Sequence, residues 1–307
     1  MNSIKILFTF LYLLFNLFAS AQAWHNQNPL GQNQSLSSIY FTDSNTGYAV
    51  GYYGTILKTT NAGINWSELN SGVFVNLTST CFIDSSIGFA VGDSGIILKT
   101  VNSGLTWVVK ASGVTSPLKS IWFTDLNNGY LVGGSGKILK TTDSGETWAV
   151  IATGTNSDLN SIYFTDENSA YIVGESGKIL KTINAGANWT ILPSGTTEFL
   201  TSIYFYNSNI GFAVGNSGTI VKTNDAGLSW SLQSGGTSFV LTSVYFTDEN
   251  IGYVVASDGR IIKTINGGDS WITTSTIGVN LHSIYFVDSE TGYIAGNFGT
   301  VLKTIVR

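Results

Sequence analysis

The residues best placed to do chemistry lie in "KTTDSGETW", residues 140–148, where Asp143 and Glu146 stand close to Lys140 and Trp148. A carboxylate pair can act as acid and base in glycoside hydrolysis, and carboxylates also bind hard cations. Both uses require the charge. Near-copies of the segment start at Lys58, Lys99, Lys181, Lys222 and Lys263, and a truncated one starts at Lys303. In the other full copies the place of Asp143 is held by Asn61, Asn102, Asn184, Asp225 and Asn266. Asn cannot replace a general acid, a nucleophile or a hard-metal ligand. It can replace Asp in a turn, because both present an acceptor oxygen to nearby backbone N–H groups. Glu146 aligns with Ile64, Leu105, Ala187, Leu228 and Asp269, so its charge recurs in only one other copy. The segment therefore reads as a structural pin. Its glycine supplies a positive φ, and Trp66, Trp107, Trp148, Trp189, Trp230 or Trp271 fills the space between sheets. The repeated lysines read as solvated strand edges.

Other chemistries find little support. The histidines are His25 and His282, with no cysteine or carboxylate at zinc spacing, so neither a metal site nor a cofactor is expected. No G-x-S-x-G elbow, phosphate loop or dinucleotide fingerprint occurs. Asp93, Glu175 and Asp258 fall in hairpins, and Asp158 and Glu198 in longer loops, where they read as scattered polar decoration. Asp43, Asp84, Asp125, Asp166, Asp248 and Asp288 recur at turn starts, with Tyr206 expected in the corresponding place of the fifth unit. Cys81, the single cysteine, lies in an apolar strand and reads as a small hydrophobe.

The elements that must position these residues follow from the repeat. Tryptophans from Trp66 to Trp271 are spaced by 41 residues, and Phe41, Phe82, Phe123, Phe164, Phe205, Phe246 and Phe286 mark a second register. Each unit holds four short apolar runs separated by Gly, Asn, Asp and Ser, as in "KSIWF", "GYLVG", "KILKT" and "WAVIA". Apolar residues occur on both faces of these runs, so each sheet must be covered on both sides. Four-stranded sheets stacked around an axis meet that need. The expected fold is an all-β, seven-bladed β-propeller of four-stranded antiparallel blades, occupying residues 24–307. The last unit stops at "VLKTIVR" and Trp24 stands in the register of a fourth strand, so residues 24–30 are expected to close the ring by joining the last blade.

Residues 1–23 read as a signal peptide: Lys5, then the apolar "ILFTFLYLLFNLF", then "ASAQA". Cleavage after Ala23 gives a secreted, periplasmic or cell-surface protein, with an uncleaved anchor as the alternative. The net charge of −5 argues against sequence-independent nucleic-acid binding, which needs a basic footprint.

"TTDSGETW" resembles the Asp-box, or bacterial neuraminidase repeat. The longer "SIYFTD…GYLVGGSGKILKTTDSGETW" resembles the photosystem II stability/assembly factor-like propellers, and the likeness spans about residues 24–307. That resemblance implies an assembly role; with no catalytic constellation in the residues, the chain is expected to be a non-enzymatic scaffold that binds a protein partner, and a monomer. Sialidases with this repeat hold a substrate carboxylate with three arginines, whereas this chain has Arg260 and Arg307. The alternative is a carbohydrate-binding propeller or a glycoside hydrolase. On the expected ligand face, Tyr52, Tyr53, Phe74 and Phe298 fall in adjacent blades, and Phe199 and Phe239 form a second pair. These aromatics read either as contacts for a peptide or carbohydrate, or as plugs for the mouth of the ring.

Overall fold

The computed structural model describes residues 23–27 and 33–305. They form seven four-stranded antiparallel sheets arranged as the blades of a propeller. The first blade comprises Leu36–Phe41, Gly47–Gly51, Ile56–Thr59 and Ser67–Leu69. Its innermost strand contacts the innermost strands of the blades on either side, Leu77–Phe82 and Leu281–Phe286. The same order, innermost to outermost, repeats around the ring.

Packing follows the pattern of apolar residues. The second strand of each blade is buried along its length, as in Gly47–Gly51, apart from the half-buried Thr291 that starts the last one. Each core cluster spans two blades. Leu36, Ile39, Phe41, Ala49, Leu57 and Trp66 of the first blade close on Tyr293, Ala295 and Val301 of the seventh. At roughly 2–3 kcal/mol for each fully buried large aliphatic or aromatic side chain, these layers between blades dominate the stability.

Hydrogen bonds also tie the inner strands together. Ile39 N–H donates to Ser283 Oγ at 3.4 Å, and the equivalent bond recurs at six of the seven junctions among the described residues. The exception is the junction into the second blade, where Thr80 and Cys81 stand in place of the usual aliphatic and tyrosine.

The ring closes as the sequence requires. Trp24–Asn26 pairs antiparallel with Val301–Ile305, with Trp24 opposite Thr304 and Asn26 opposite Leu302. Trp24 meets Tyr253 and Phe286 edge-on at 6.5 and 6.3 Å. Trp66, Trp107, Trp148, Trp230 and Trp271 pack in the same way, Trp66 against Phe41 at 6.1 Å for example. Residues 28–30 of the expected closing segment, the signal peptide up to residue 22, and Arg307 lie outside the described residues.

Candidate functional site

The repeated "KTTDSGETW" turn is a closed set of hydrogen bonds. In the third blade Thr141 Oγ1 accepts from Gly145 N–H at 2.9 Å, and Asp143 Oδ1 accepts from Thr147 N–H at 2.9 Å. The Asn copies use the same atom, with Asn61 Oδ1 accepting from Asn65 N–H and Asn184 Oδ1 from Asn188 N–H. One oxygen in one geometry explains why Asn and Asp interchange. The hydrogen bonds from Thr147, side chain first and backbone second, lower the Asp143 pKa to about 2. Ser229 does the same for Asp225.

The lysines depart from expectation: they clamp blades instead of lining a solvated edge. Lys58 Nζ reaches the Ser103 carbonyl of the next blade at 2.8 Å, and Tyr48 Oη donates to the same oxygen at 3.0 Å. Lys140 with Tyr130 shares Ala185 O, Lys181 with Tyr171 shares Ala226 O, and Lys303 with Tyr293 shares Ala62 O. Each of these ammonium groups also lies 5.2–5.5 Å from the centre of its tyrosine ring, within cation–π range. In two blades the ring is a phenylalanine, Phe89 or Phe212, and carries no hydroxyl. There an acid from the next blade takes part: Glu146 accepts from Lys99 at 2.6 Å, and Asp269 from Lys222 at 3.1 Å. Glu146, one of the two carboxylates considered for chemistry, and Asp269 thus act as spare partners for lysine.

The loop acids are similarly engaged. Asp158 meets Lys119 at 2.8 Å, and that bond holds its carboxyl below the usual carboxylate range. Asp258 meets Arg260 at 2.9 Å. Asn76 donates to Asp93 at 2.9 Å, and Ser217 donates to Glu198 at 3.2 Å. The turn aspartates cap as expected, Asp43 Oδ1 accepting from Asn45 and Thr46 N–H groups. In the fifth blade the capping residue is Asn207, one position after the expected Tyr206, because the turn is counted from Phe205 as in the other blades. Among the described residues no cluster of His, Cys, Asp and Glu could hold a metal ion.

The opposite face carries the hairpins between second and third strands and the loops between blades. Tyr52, Tyr53, Phe74 and Phe298 are all exposed there, Phe74 at 90 %. Their loops are joined. Tyr52 N–H donates to Ser35 O, Gly299 N–H to the adjacent Gln34 O, and Tyr53 N–H to Asn76 Oδ1. Gly54 lies so close to Val73 that a Cβ there would meet Val73 O. Tyr53 and Phe298 have left-handed backbones, φ 55° and 56°, at positions where four other hairpins place Ser94, Ser135, Ser176 and Ser217. Phe199 and Phe239 are partly engaged already, under Lys119 at 5.7 Å and Arg260 at 5.1 Å.

Two sets of residues were not anticipated. Every inner strand bulges after its first leucine, and a bulge re-aims the residue it displaces. Ser37, Thr78, Lys119, Asn160, Thr201, Thr242 and His282 occupy these positions. Thr78 and Thr201 tie to the next blade, whereas His282 Nε2 is 2.7 Å from Asn297 Oδ1 of its own blade. The signal was a variable residue inside an otherwise repeated "LxS". The second set is a ring of aromatics around the axis. Tyr163, Tyr204 and Tyr245 follow one another at 5.2 and 4.9 Å, and Tyr285 meets Tyr40 at 5.3 Å. Burial raises the Tyr40 and Tyr163 pKa values to about 12, which keeps both phenols neutral.

Seven blades, six of them carrying this turn, define a propeller of the Asp-box class. The chain belongs to the family described as photosynthesis system II assembly factor YCF48, whose sequence profile matches residues 17–110, 103–197 and 183–273. No curated protein sequence matches it. Among solved structures it resembles one titled "YCF48 bound to D1 peptide", with a TM-score of 0.79 and 17 % identity over 94 % of this chain and 96 % of that one. YCF48 from Cyanidioschyzon merolae aligns with a TM-score of 0.78 and 20 % identity over 92 % and 99 %. The WD40 repeats of RRP9 reach the same score at 10 % identity over 94 % and 98 %, a likeness of fold alone.

Proposed function

We propose that this protein is an exported, non-enzymatic propeller that binds a protein or peptide partner through its loop face, as an assembly-type scaffold. The observation that carries the reading is the pair Tyr53 and Phe298. Each is an exposed aromatic held in a left-handed backbone where sister hairpins use serine. The left-handed backbone belongs to the hairpin itself, since Ser94, Ser135, Ser176 and Ser217 share it; what sets Tyr53 and Phe298 apart is the exposed aromatic ring. With Tyr52 and Phe74 the pair offers large, rigid apolar surface on bonded loops, which suits peptide contact. A structure titled "YCF48 bound to D1 peptide" supports a peptide as the kind of partner. The signal-like residues 1–23 support export.

The test is selection of a displayed peptide library on the wild-type protein, followed by binding of the selected peptides to Tyr53→Ser and Phe298→Ser. Serine is the residue the fold already accepts at these positions, so stability should hold or rise. Affinity should fall roughly 30-fold, the size of a hot-spot loss of about 2 kcal/mol. Unchanged affinity would remove the loop face from the reading. Signal on a glycan array or in a polysaccharide hydrolysis screen, lost in the same variants, would replace the peptide with a carbohydrate. N-terminal sequencing of the exported product, starting at Trp24, checks the signal.

A further inference from the structure

The aromatic ring around the axis is interrupted once. Six blades place Tyr40, Trp122, Tyr163, Tyr204, Tyr245 and Tyr285 there, and the second blade places Cys81. Between Tyr40 and Trp122 a cavity of about 490 Å³ opens on the Asp-box face, where Asp125 and Leu126 border it. Its volume lies in the range of small-molecule sites.

The neighbouring blades show what such a position normally holds. Tyr40 Oη donates to Phe82 O of the next blade at 3.1 Å. Tyr204 donates to Phe246 O, Tyr245 to Phe286 O and Tyr285 to Phe41 O, at 2.8–3.2 Å. The acceptor corresponding to Cys81 is Phe123 O, and Phe123 lines the cavity. Thr124 N–H pairs with Asn128 O, so in the alternating antiparallel pattern Phe123 O points away from its own neighbouring strand. No tyrosine hydroxyl can reach it from position 81. The cavity therefore has an aromatic side chain on either side, an apolar lining and a backbone acceptor where a phenol oxygen would fall.

We propose that the gap at Cys81 binds a phenolic ring, supplied by a tyrosine side chain of a partner or by a free small phenol. The ring would complete the aromatic series beside Tyr40 and Trp122, and its hydroxyl would donate to Phe123 O. The Cys81 thiol takes no chemical part. Burial raises its pKa, so it stays protonated and serves only as the small residue that leaves the space. This site lies on the face opposite Tyr53 and Phe298 and does not rest on their role, so the two proposals fail separately.

The experiment is ¹⁹F NMR of 4-fluorophenol and fluorobenzene titrated with the folded protein. Binding of 4-fluorophenol should be at least fivefold tighter than that of fluorobenzene, because a site built around an acceptor discriminates against a ligand lacking the donor. Cys81→Tyr should fill the gap and weaken 4-fluorophenol at least tenfold. Should that variant fail to fold, Trp122→Leu removes one aromatic neighbour and should weaken binding severalfold. Displacement of 4-fluorophenol by a tyrosine pentapeptide, and not by its phenylalanine counterpart, supports the proposal with a partner as the source. Bound 4-fluorophenol that the peptide does not displace supports it with a free phenol. No binding at millimolar ligand, equal binding of both probes, or undiminished binding by Cys81→Tyr overturns it.

Discussion

The two faces of the ring spend the same repeat differently. On the Asp-box face, the repeated side chains that look chemically capable are committed: Asp143 to its turn, Lys140 to Ala185 O, Glu146 to Lys99 and Lys110. On the loop face six of the seven hairpins keep one left-handed backbone position while its side chain varies from Ser135 to Tyr53 and Phe298. Repetition marks what holds blades together, and departure from it marks what is free for recognition. Changes on the first face should cost stability, and Tyr53→Ser on the second should not.

The largest loss is expected at the seam. Removing residues 24–30 deletes the fourth strand of the seventh blade and the Trp24 contact to Tyr253 and Phe286. An aromatic lost from a core costs about 3–5 kcal/mol, and each kcal/mol is worth roughly 2–4 °C at this size, so Tm should fall by about 10 °C. A Tm unchanged by differential scanning calorimetry would refute the seam's role. Trp66 sharpens the point. Its indole N–H has no acceptor among the described residues, so the ring is held by contact alone. Trp66→Phe should cost about 1 kcal/mol and Trp66→Ala about 3–5 kcal/mol in urea unfolding. Equal costs would mean that the N–H matters after all.

A smaller effect tests the spare-partner reading of Glu146. Lys99 is 5 % exposed and Glu146 53 %. With one partner so open to solvent, Glu146→Ala should cost only about 1 kcal/mol. Phe89→Tyr gives this blade the hydroxyl that Tyr48 and Tyr130 use beside their lysines. In a double-mutant cycle the loss from Glu146→Ala should shrink in the Phe89→Tyr background. Strict additivity would separate the acid from the missing hydroxyl.

Much of this was legible in the sequence because repetition supplies its own comparison. The period, the four strands, the interchange of Asn61 with Asp143 and the closing role of Trp24 are all visible as alignments of the chain with itself. The lysine clamp was not, because Lys58 meets its partner 45 residues away, across a blade boundary. The pairing of Phe89 with Glu146 was hidden for the same reason: the two positions covary between neighbouring units, not within one. Cys81 read correctly as apolar, but the space it leaves becomes apparent only once seven inner strands converge. The loop-face aromatics were legible as exceptions, whereas the left-handed backbone at Tyr53 depends on a hairpin geometry that the letters do not carry.

The smallest expected effect concerns pH and separates the two kinds of Asp-box turn. Asp143 and Asp225 titrate near 2 when folded, below the ordinary aspartate value of 3.8. A folded pKa below the unfolded one gives stability that is present above pH 4 and is lost as pH falls towards 2. Asn at both positions keeps the Oδ1 acceptor and discards the charge, as four native turns already do. The wild type should therefore exceed the Asp143→Asn, Asp225→Asn double variant slightly in urea midpoint at pH 6. That advantage should shrink steadily between pH 4 and pH 2. A difference that stays constant across this window would assign the two aspartates the same pKa folded and unfolded, and leave their hydrogen bonds from Thr147 and Ser229 without a charge to favour.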